Sequence, residues 1–380
     1  MRDVSFATFA RLEDLVTNGE ISYGIVQPGY ETASGVPIVR VKDIRDGRIN
    51  QTSVLRVDPE ISDRHGRTVL EGGELLVTIV GTVGESAVVP KELAGWNVAR
   101  AIAVVRPLGV SAQWIRLCLE TSGVKQALGG VLNTTVQSTL NLADLKRLLI
   151  PVPPVRDREA IAEVLGALDE KIAASTSIVD ASVNLATAIY AGALQHDGLE
   201  SVRLDSMAEH LPGKYLPKEA YAAGGIYRVY GSNSDMGSHA EALYPGGFTV
   251  LARIGSYCGS LRWSQRPAWV NNNASALLPV GGFDPWVLRH ALARVDMEPH
   301  RGGSGQPFIR VDSLMSSVVA VPSYDIRRGI APVLQDLAER ETLACESNRI
   351  LAAMRDALLP PLMSGRIRVK DAEQMVGDVA

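Results

Sequence analysis

The chain has 380 residues, 46% hydrophobic and 21% charged, with 35 Gly and 20 Pro. That balance suits folded domains of about 100–200 residues each and excludes a largely disordered polymer. A formal net charge of −4 speaks against a uniformly basic nucleic-acid binder, but the acidic excess falls on residues 151–200, with 3 basic against 8 acidic side chains, so a local basic surface elsewhere stays open.

The N-terminus, Met1-Arg2-Asp3-Val4-Ser5-Phe6, lacks the basic start and apolar stretch of a secretory signal. No unbroken apolar run reaches the roughly 18–20 residues of a membrane span. Three widely spaced cysteines, Cys118, Cys258 and Cys345, form no Cys-x-x-Cys. Zinc ribbons and redox pairs are therefore excluded, and a reduced, cytoplasmic setting is the expectation.

In chain order, a first globular unit spans residues 1–152. Its short apolar runs at 36–44, 74–80 and 101–105, bounded by Gly, Pro and Asn, read as strands, and residues 114–128 read as a helix. Pro151, Pro153 and Pro154 end this unit, because proline fixes φ and removes a backbone donor.

A first long spacer helix follows within 153–198, with its pattern over about 156–194. Ile161, Leu165, Leu168, Ile172, Ser175, Val179, Ser182, Ala186, Ile189 and Ala193 alternate by four and three, which is a heptad seam with small residues at its middle. Asp169-Glu170-Lys171 superficially resembles the end of a nuclease carboxylate motif, but inside a helix it reads as a solvated face.

A second globular unit covers 199–322, with a strand at 248–254 and a helix at 286–294. A second long spacer helix lies within 323–366, its pattern running over about 325–359. Its stripe is Ile330, Val333, Leu334, Leu337, Ala344, Leu351, Met354 and Leu358, with Glu341 and Asn348 on or near the seam. A tail of 367–380 closes the chain.

The second half repeats the first. Gln137/Gln306, Leu140/Ile309, Leu145/Leu314, Ile161/Ile330, Leu165/Leu334 and Leu168/Leu337 are each 169 positions apart. Upstream the offset drifts, to 172 for Trp114/Trp286, 173 for Trp96/Trp269 and 174 for Gly73/Gly247 and Gly81/Gly255. It reaches 188 for Ile38/Ile226, Arg40/Arg228 and Val41/Val229. Loop insertions in one copy produce such a drift, whereas chance matches scatter.

A helix of about 39 residues is roughly 58 Å long, and small seam residues admit a close neighbour. The expected partner of each long helix is its repeat, paired antiparallel about a pseudo-two-fold axis. The alternative is that each helix merely covers its own domain.

Common enzyme signatures are missing. There is no Gly-x-x-x-x-Gly-Lys-Ser/Thr loop, no Gly-x-Gly-x-x-Gly after a strand, no Asp/Asn-Pro-Pro-aromatic run and no His-Glu-x-x-His. Gly255-Ser256-Tyr257 and Gly302-Gly303-Ser304-Gly305 fit anion-binding turns and fit plain turns as well. A duplicated chain without a catalytic motif suits a bipartite linear target such as DNA.

Several stretches resemble the specificity (S) subunit of type I restriction–modification systems. These are Ile21-Ser22-Tyr23-Gly24 with residues 36–44, Val229-Tyr230-Gly231-Ser232-Asn233 followed by Gly237, residues 249–256, residues 145–154 before the first long helix, and residues 358–369. After Pro154 the family's acidic-Gln pair is replaced by Arg156-Asp157-Arg158-Glu159.

The resemblance implies an α+β fold of two α/β target recognition domains separated by two long antiparallel helices in a coiled coil. It implies a non-catalytic, sequence-specific DNA-binding subunit, each domain reading half of a bipartite double-stranded target. The helices would dock two modification (methyltransferase) subunits, with restriction subunits as further partners and no membrane. S-adenosylmethionine, ATP and Mg²⁺ would belong to those partners, with no metal or cofactor in this chain. The competing reading is a scaffold or adaptor whose two heads bind a non-DNA ligand.

Direct readout needs Arg, Lys, Asn, Gln, Ser or Thr at base edges. The matching polar loops around Thr134, Thr135, Gln137 and Ser138, and around Arg301, Ser304 and Gln306, are the leading DNA-contact candidates. They equally fit packing at the domain–helix junction. Lys42, Arg45, Asn233 and Arg253 are further candidates. The expected helix-pair interface is Ile161, Leu165, Leu168, Ile172, Val179 and Ile189 with Ile330, Leu334, Leu337, Leu351 and Leu358.

Overall fold

A computed structural model describes residues 8–130, 139–222 and 224–377. It divides into two compact units, one of residues 1–173 and 349–380, the other of residues 174–348.

In unit 1, strands β1 (Val16–Tyr23), β2 (Leu75–Thr78), β3 (Ser86–Val88) and β4 (Ile102–Pro107) form a sheet of order β1-β4-β2-β3. Every neighbouring pair is antiparallel. Leu75, Val77, Ala103 and Val105 bury one face against helix α1 (Ala112–Glu120), while Leu76, Ile102 and Val104 bury the other. That alternation is the period-2 signature of a sheet covered on both sides. A second sheet sets Val36–Val39 antiparallel to Leu55–Val57 and parallel to Asn97–Val98.

Ser111 caps α1 by accepting from the Trp114 amide at 3.1 Å. The helix expected over 114–128 is in fact two, because Thr121 at the end of α1 is extended and the chain restarts at Ser122–Gly130. The Thr121 hydroxyl donates to the Cys118 carbonyl at 2.7 Å, so this side chain takes over a carbonyl that a continuing helix would have used.

The first long helix, α2 (Val155–Ala193), begins in unit 1. Ile161, Leu165 and Leu168 share the unit's core with Leu351, Leu358, Leu359 and Leu362 of the second long helix and with Ala372 of the C-terminal helix Val369–Gly377.

Unit 2 repeats this plan. Strands β5 (Ala208–Pro212), β6 (Phe248–Ala252), β7 (Leu261–Ser264) and β8 (Ala274–Pro279) form an antiparallel sheet of order β5-β8-β6-β7. Tyr227–Tyr230 lies antiparallel to Asp235–His239 and parallel to Ala268–Val270. Helix α3 (Pro285–Leu292) covers the sheet. The second long helix, α4 (Tyr324–Met363), supplies Leu334, Leu337 and Ala338 to a core that also holds Ala186 and Tyr190 of α2. The Asn348 amide donates to the Thr176 hydroxyl at 3.1 Å, and Tyr190 lies in the field of Arg327. Rising numbers on α2 thus meet falling numbers on α4, an antiparallel pairing.

The duplication is visible bond by bond. Leu140 N donates to Ile79 O as Ile309 N does to Arg253 O, and Val80 bridges Thr139 as Ile254 bridges Phe308. These fix the offsets of 174 and 169. The pairs proposed at 188 are displaced. Ala99 N donates to Val39 O as Asn271 N donates to Tyr230 O, so Val39 corresponds to Tyr230 and Ile38 to Val229. Trp96 and Trp269 are one residue out of step, because Val98 O and Val270 O each accept the amide after an equivalent glycine, Gly24 and Gly213. Both glycines are obligatory. A Cβ would lie about 2 Å from the carbonyl oxygen of Val98 or Asn271.

Three further findings differ from expectation. α4 continues through Pro360 and Pro361 to Met363, where Ser364 N still bonds Pro360 O. Val333, placed on the stripe, is 47% exposed. An 18-residue window of α2 is long and apolar enough to cross a membrane by length and composition, at mean hydropathy 1.3. Its Ala, Ile, Val and Leu raise the mean, while interspersed Ser, Thr, Asp and Asn prevent the unbroken apolar run sought in the sequence.

Candidate nucleic-acid interface

In unit 2, four loops converge beyond the ends of the central strands. The turn after Asn271 is held by Ala274 N donating to Asn271 O at 2.9 Å and by the buried Asn271 side chain accepting from Asn272 N at 2.6 Å. Its Asn273 carbonyl accepts from Arg253 N at 3.0 Å, Ile254 N at 3.2 Å and the Ser232 hydroxyl at 2.6 Å. The Arg253 guanidinium reaches the Asn272 carbonyl at 3.4 Å.

The hairpin of Arg301–Gly302 with Phe308–Ile309 closes on the same place. Gly255 N donates to Pro307 O at 2.8 Å, and Arg301 Nη2 donates to Cys258 O at 3.0 Å. The structure thus brings Arg253 and Arg301 to one surface with Asn233's loop and with the exposed Ser304 and Gln306. Arg301 also pairs with Glu298 at 2.7 Å, which offsets part of its charge. Arg253 makes no ion pair among the described residues. His210, bonded to Ser275 at 2.9 Å, is held below the ordinary imidazole range by burial and then by the Arg253 charge.

In unit 1, Thr134, Thr135, Gln137 and Ser138 lie outside the described residues. Lys42 is exposed three residues past the strand ending at Val39, as Asn233 is three past Tyr230. Arg45 is exposed, and its one ion pair among the described residues is with its neighbour Asp46, at 3.5 Å. The residues sequence reasoning passed over are Ser232, Asn272 and Asn273 in unit 2 and Arg100 in unit 1. The run Asn271-Asn272-Asn273 between apolar strands was the available signal.

The interface candidates on the long helices sit as follows. Ile161, Leu165, Leu168, Leu351 and Leu358 are buried in unit 1, with Ile172 partly buried against them. Leu334 and Leu337 are buried in unit 2, with Ile189 and Ile330 partly buried beside them. Val179 is half-buried.

Asp169 is not the solvated face expected of it. Its carboxylate takes Arg116 and, at 3.1 Å, Arg355, while Arg48 donates to its carbonyl at 2.8 Å. It fastens the head of unit 1 to α2 and α4. No group of three or more His, Cys, Asp or Glu side chains forms a metal-binding cluster among the described residues, and all three cysteines are free thiols.

Fold and surface define a class: a duplicated α+β protein, one head of which presents a loop cluster rich in amides, hydroxyls and arginines, with long paired helices packed into each head's core. The comparisons with known proteins agree. Residues 22–180 match the family model of the type I restriction modification DNA specificity domain. Over 174 residues the chain is 28% identical to the type I restriction enzyme EcoBI specificity subunit of Escherichia coli, a stretch covering 45% of this chain and 36% of that relative. The solved type I restriction–modification S subunit from M. genitalium superimposes with a TM-score of 0.64 at 17% identity, over 93% of this chain and 95% of that one. Residues 22–180 are thus similar to a type I restriction modification DNA specificity domain, and the fold of the chain resembles that of the solved S subunit.

Proposed function

We propose that the chain is the sequence-specific DNA-binding subunit of a type I restriction–modification complex. Each head reads one half of a bipartite double-stranded target. The long helices dock two methyltransferase subunits, with restriction subunits as further partners in the cytoplasm. The chain performs no chemistry itself, and S-adenosylmethionine, ATP and Mg²⁺ are used by the partners.

The observation that carries this reading is the bond-by-bond repetition of one head, with different exposed side chains at equivalent loop positions. A repeated scaffold with unlike readers suits an asymmetric split site, since scaffold bonds position and loop side chains specify. A scaffold protein with heads for some other ligand gives no reason for the unit 2 loops to collect amides and arginines, the groups that read base edges.

The test is a genome-wide methylation map of the host with and without this gene. A two-part motif present only with the gene is the expected result, and unchanged methylation contradicts the proposal.

A further inference from the structure

Each head carries a tight turn where its second sheet passes into the central strand of its main sheet. In unit 1 the turn is Ala99–Ile102, in unit 2 it is Asn271–Ala274. Three backbone bonds clamp both in the same way. Ile102 N donates to Ala99 O at 3.1 Å and Ala274 N to Asn271 O at 2.9 Å. Ala99 N donates to Val39 O at 2.9 Å and Asn271 N to Tyr230 O at 2.8 Å. Ala101 O accepts from Ile79 N at 2.9 Å, and Asn273 O from Arg253 N at 3.0 Å. The second residue of the turn is Arg100 in unit 1 and Asn272 in unit 2.

Both residues are exposed. Arg100 forms no ion pair among the described residues, although its backbone is pinned by Arg100 N donating to Ile25 O at 2.8 Å. The Asn272 amide N–H is pinned by the buried Asn271 side chain. The mount is therefore held by the same backbone bonds in both heads, while the side chain it holds up is exposed and differs. In unit 2 this turn is the centre of the converging loops, touched by Ser232, Arg253 and, through Gly255–Pro307, the hairpin carrying Arg301.

Resting on the DNA-reading function proposed above, we infer that Arg100 and Asn272 are equivalent base-reading residues of the two heads. Their chemistry sets what each reads. A guanidinium donates two bonds to guanine O6 and N7, and an asparagine amide both donates and accepts at adenine N6 and N7. The half-site read by unit 1 therefore contains a guanine at this contact, and the half-site read by unit 2 an adenine.

The experiment selects bound duplexes from a randomised pool, using the complex assembled in its host around the full chain. Wild type is compared with Arg100→Asn, Asn272→Arg and Asn272→Ala, with thermal melting as the folding check. Arg100→Asn is expected to lower the guanine preference by about tenfold or more at one position of one half-site. Asn272→Arg shifts an adenine to guanine in the other half only, and Asn272→Ala relaxes that same position. A uniform loss of affinity for all sequences identifies a phosphate contact and overturns the assignment. So does an unchanged motif in variants that melt like wild type. A wild-type complex that selects no motif overturns the DNA-reading function itself.

Discussion

The two heads share a backbone plan and differ in how they are fastened to their helices. In unit 1 the fastening is buried and many-sided. Arg116, 2% exposed, bonds Glu120 at 2.5 Å and Asp169 of α2, and Asp169 also takes Arg355 of α4. In unit 2 the fastening is more open. Arg289 grips Glu341 of α4 through two bonds of 2.6 and 2.9 Å while its guanidinium lies 5.6 Å from the Trp263 ring centre, and Arg266 reaches Glu339 and Glu346 from the surface.

The same fold therefore tolerates a core polar network in one copy and a half-buried ion pair in the other. Apolar seam residues set the helix packing in both, and the charged groups set only how firmly each head is held.

The largest expected contrast comes from the seam. Leu168→Asp places a carboxylate at a fully buried position of unit 1, and Leu337→Asp does so at the equivalent, slightly open position of unit 2. Chemical denaturation should show a loss of about 3–5 kcal/mol for the first and a smaller loss for the second. Equal small losses would mean that the seam does not hold the helices.

Next is the anchoring arginine. Arg116→Met leaves Glu120 and Asp169 without their buried partner and should cost about 3 kcal/mol. Arg289→Met should cost less, about 1 kcal/mol, because the Arg289 side chain is already partly solvated at 20% exposure against 3% for Arg116. A reversed order in the two denaturation midpoints would break the comparison.

Acid supplies a third contrast. His290 stacks on Tyr190 at 5.4 Å, and burial, then the Arg289 charge, push its imidazole down to about 4 from 6.5. Unfolded chain takes up this proton as the pH falls through 6.5, whereas folded chain does so only near 4, so unit 2 loses stability across that window. Cys118 occupies the corresponding place in unit 1, its thiol pushed up by burial, and stays neutral there. Hydrogen exchange at pH 7 and pH 4.5 should loosen unit 2 more than unit 1. A His290→Gln chain that kept the full acid effect would point to another group.

Much of the fold was legible because its determinants are local and repeated. Equal spacing of Leu and Gly exposed the duplication, and four-three alternation placed both long helices to within a few residues. Ile38/Ile226 failed because side-chain likeness carries no register, which only the bonds from Ala99 to Val39 and from Asn271 to Tyr230 supply. Tyr190, buried in unit 2's core, was passed over because its neighbours Ile189 and Ala193 fit the heptad alone. Asp169 looked like a surface charge since its partners, Arg116 and Arg355, come from 53 and 186 residues away. The loop cluster was half visible. Arg253 and Arg301 stand out as types, but that Asn272 and Ser232 join them follows from tertiary convergence.

The central claim is that the heads read independently. The direct test is duplex selection by the complex containing Arg301→Ala with Gln306→Ala, both in the unit 2 hairpin. One half of the selected motif should fade while the other keeps its sequence and strength. Loss of both halves together, or of neither, would contradict independent reading by two heads.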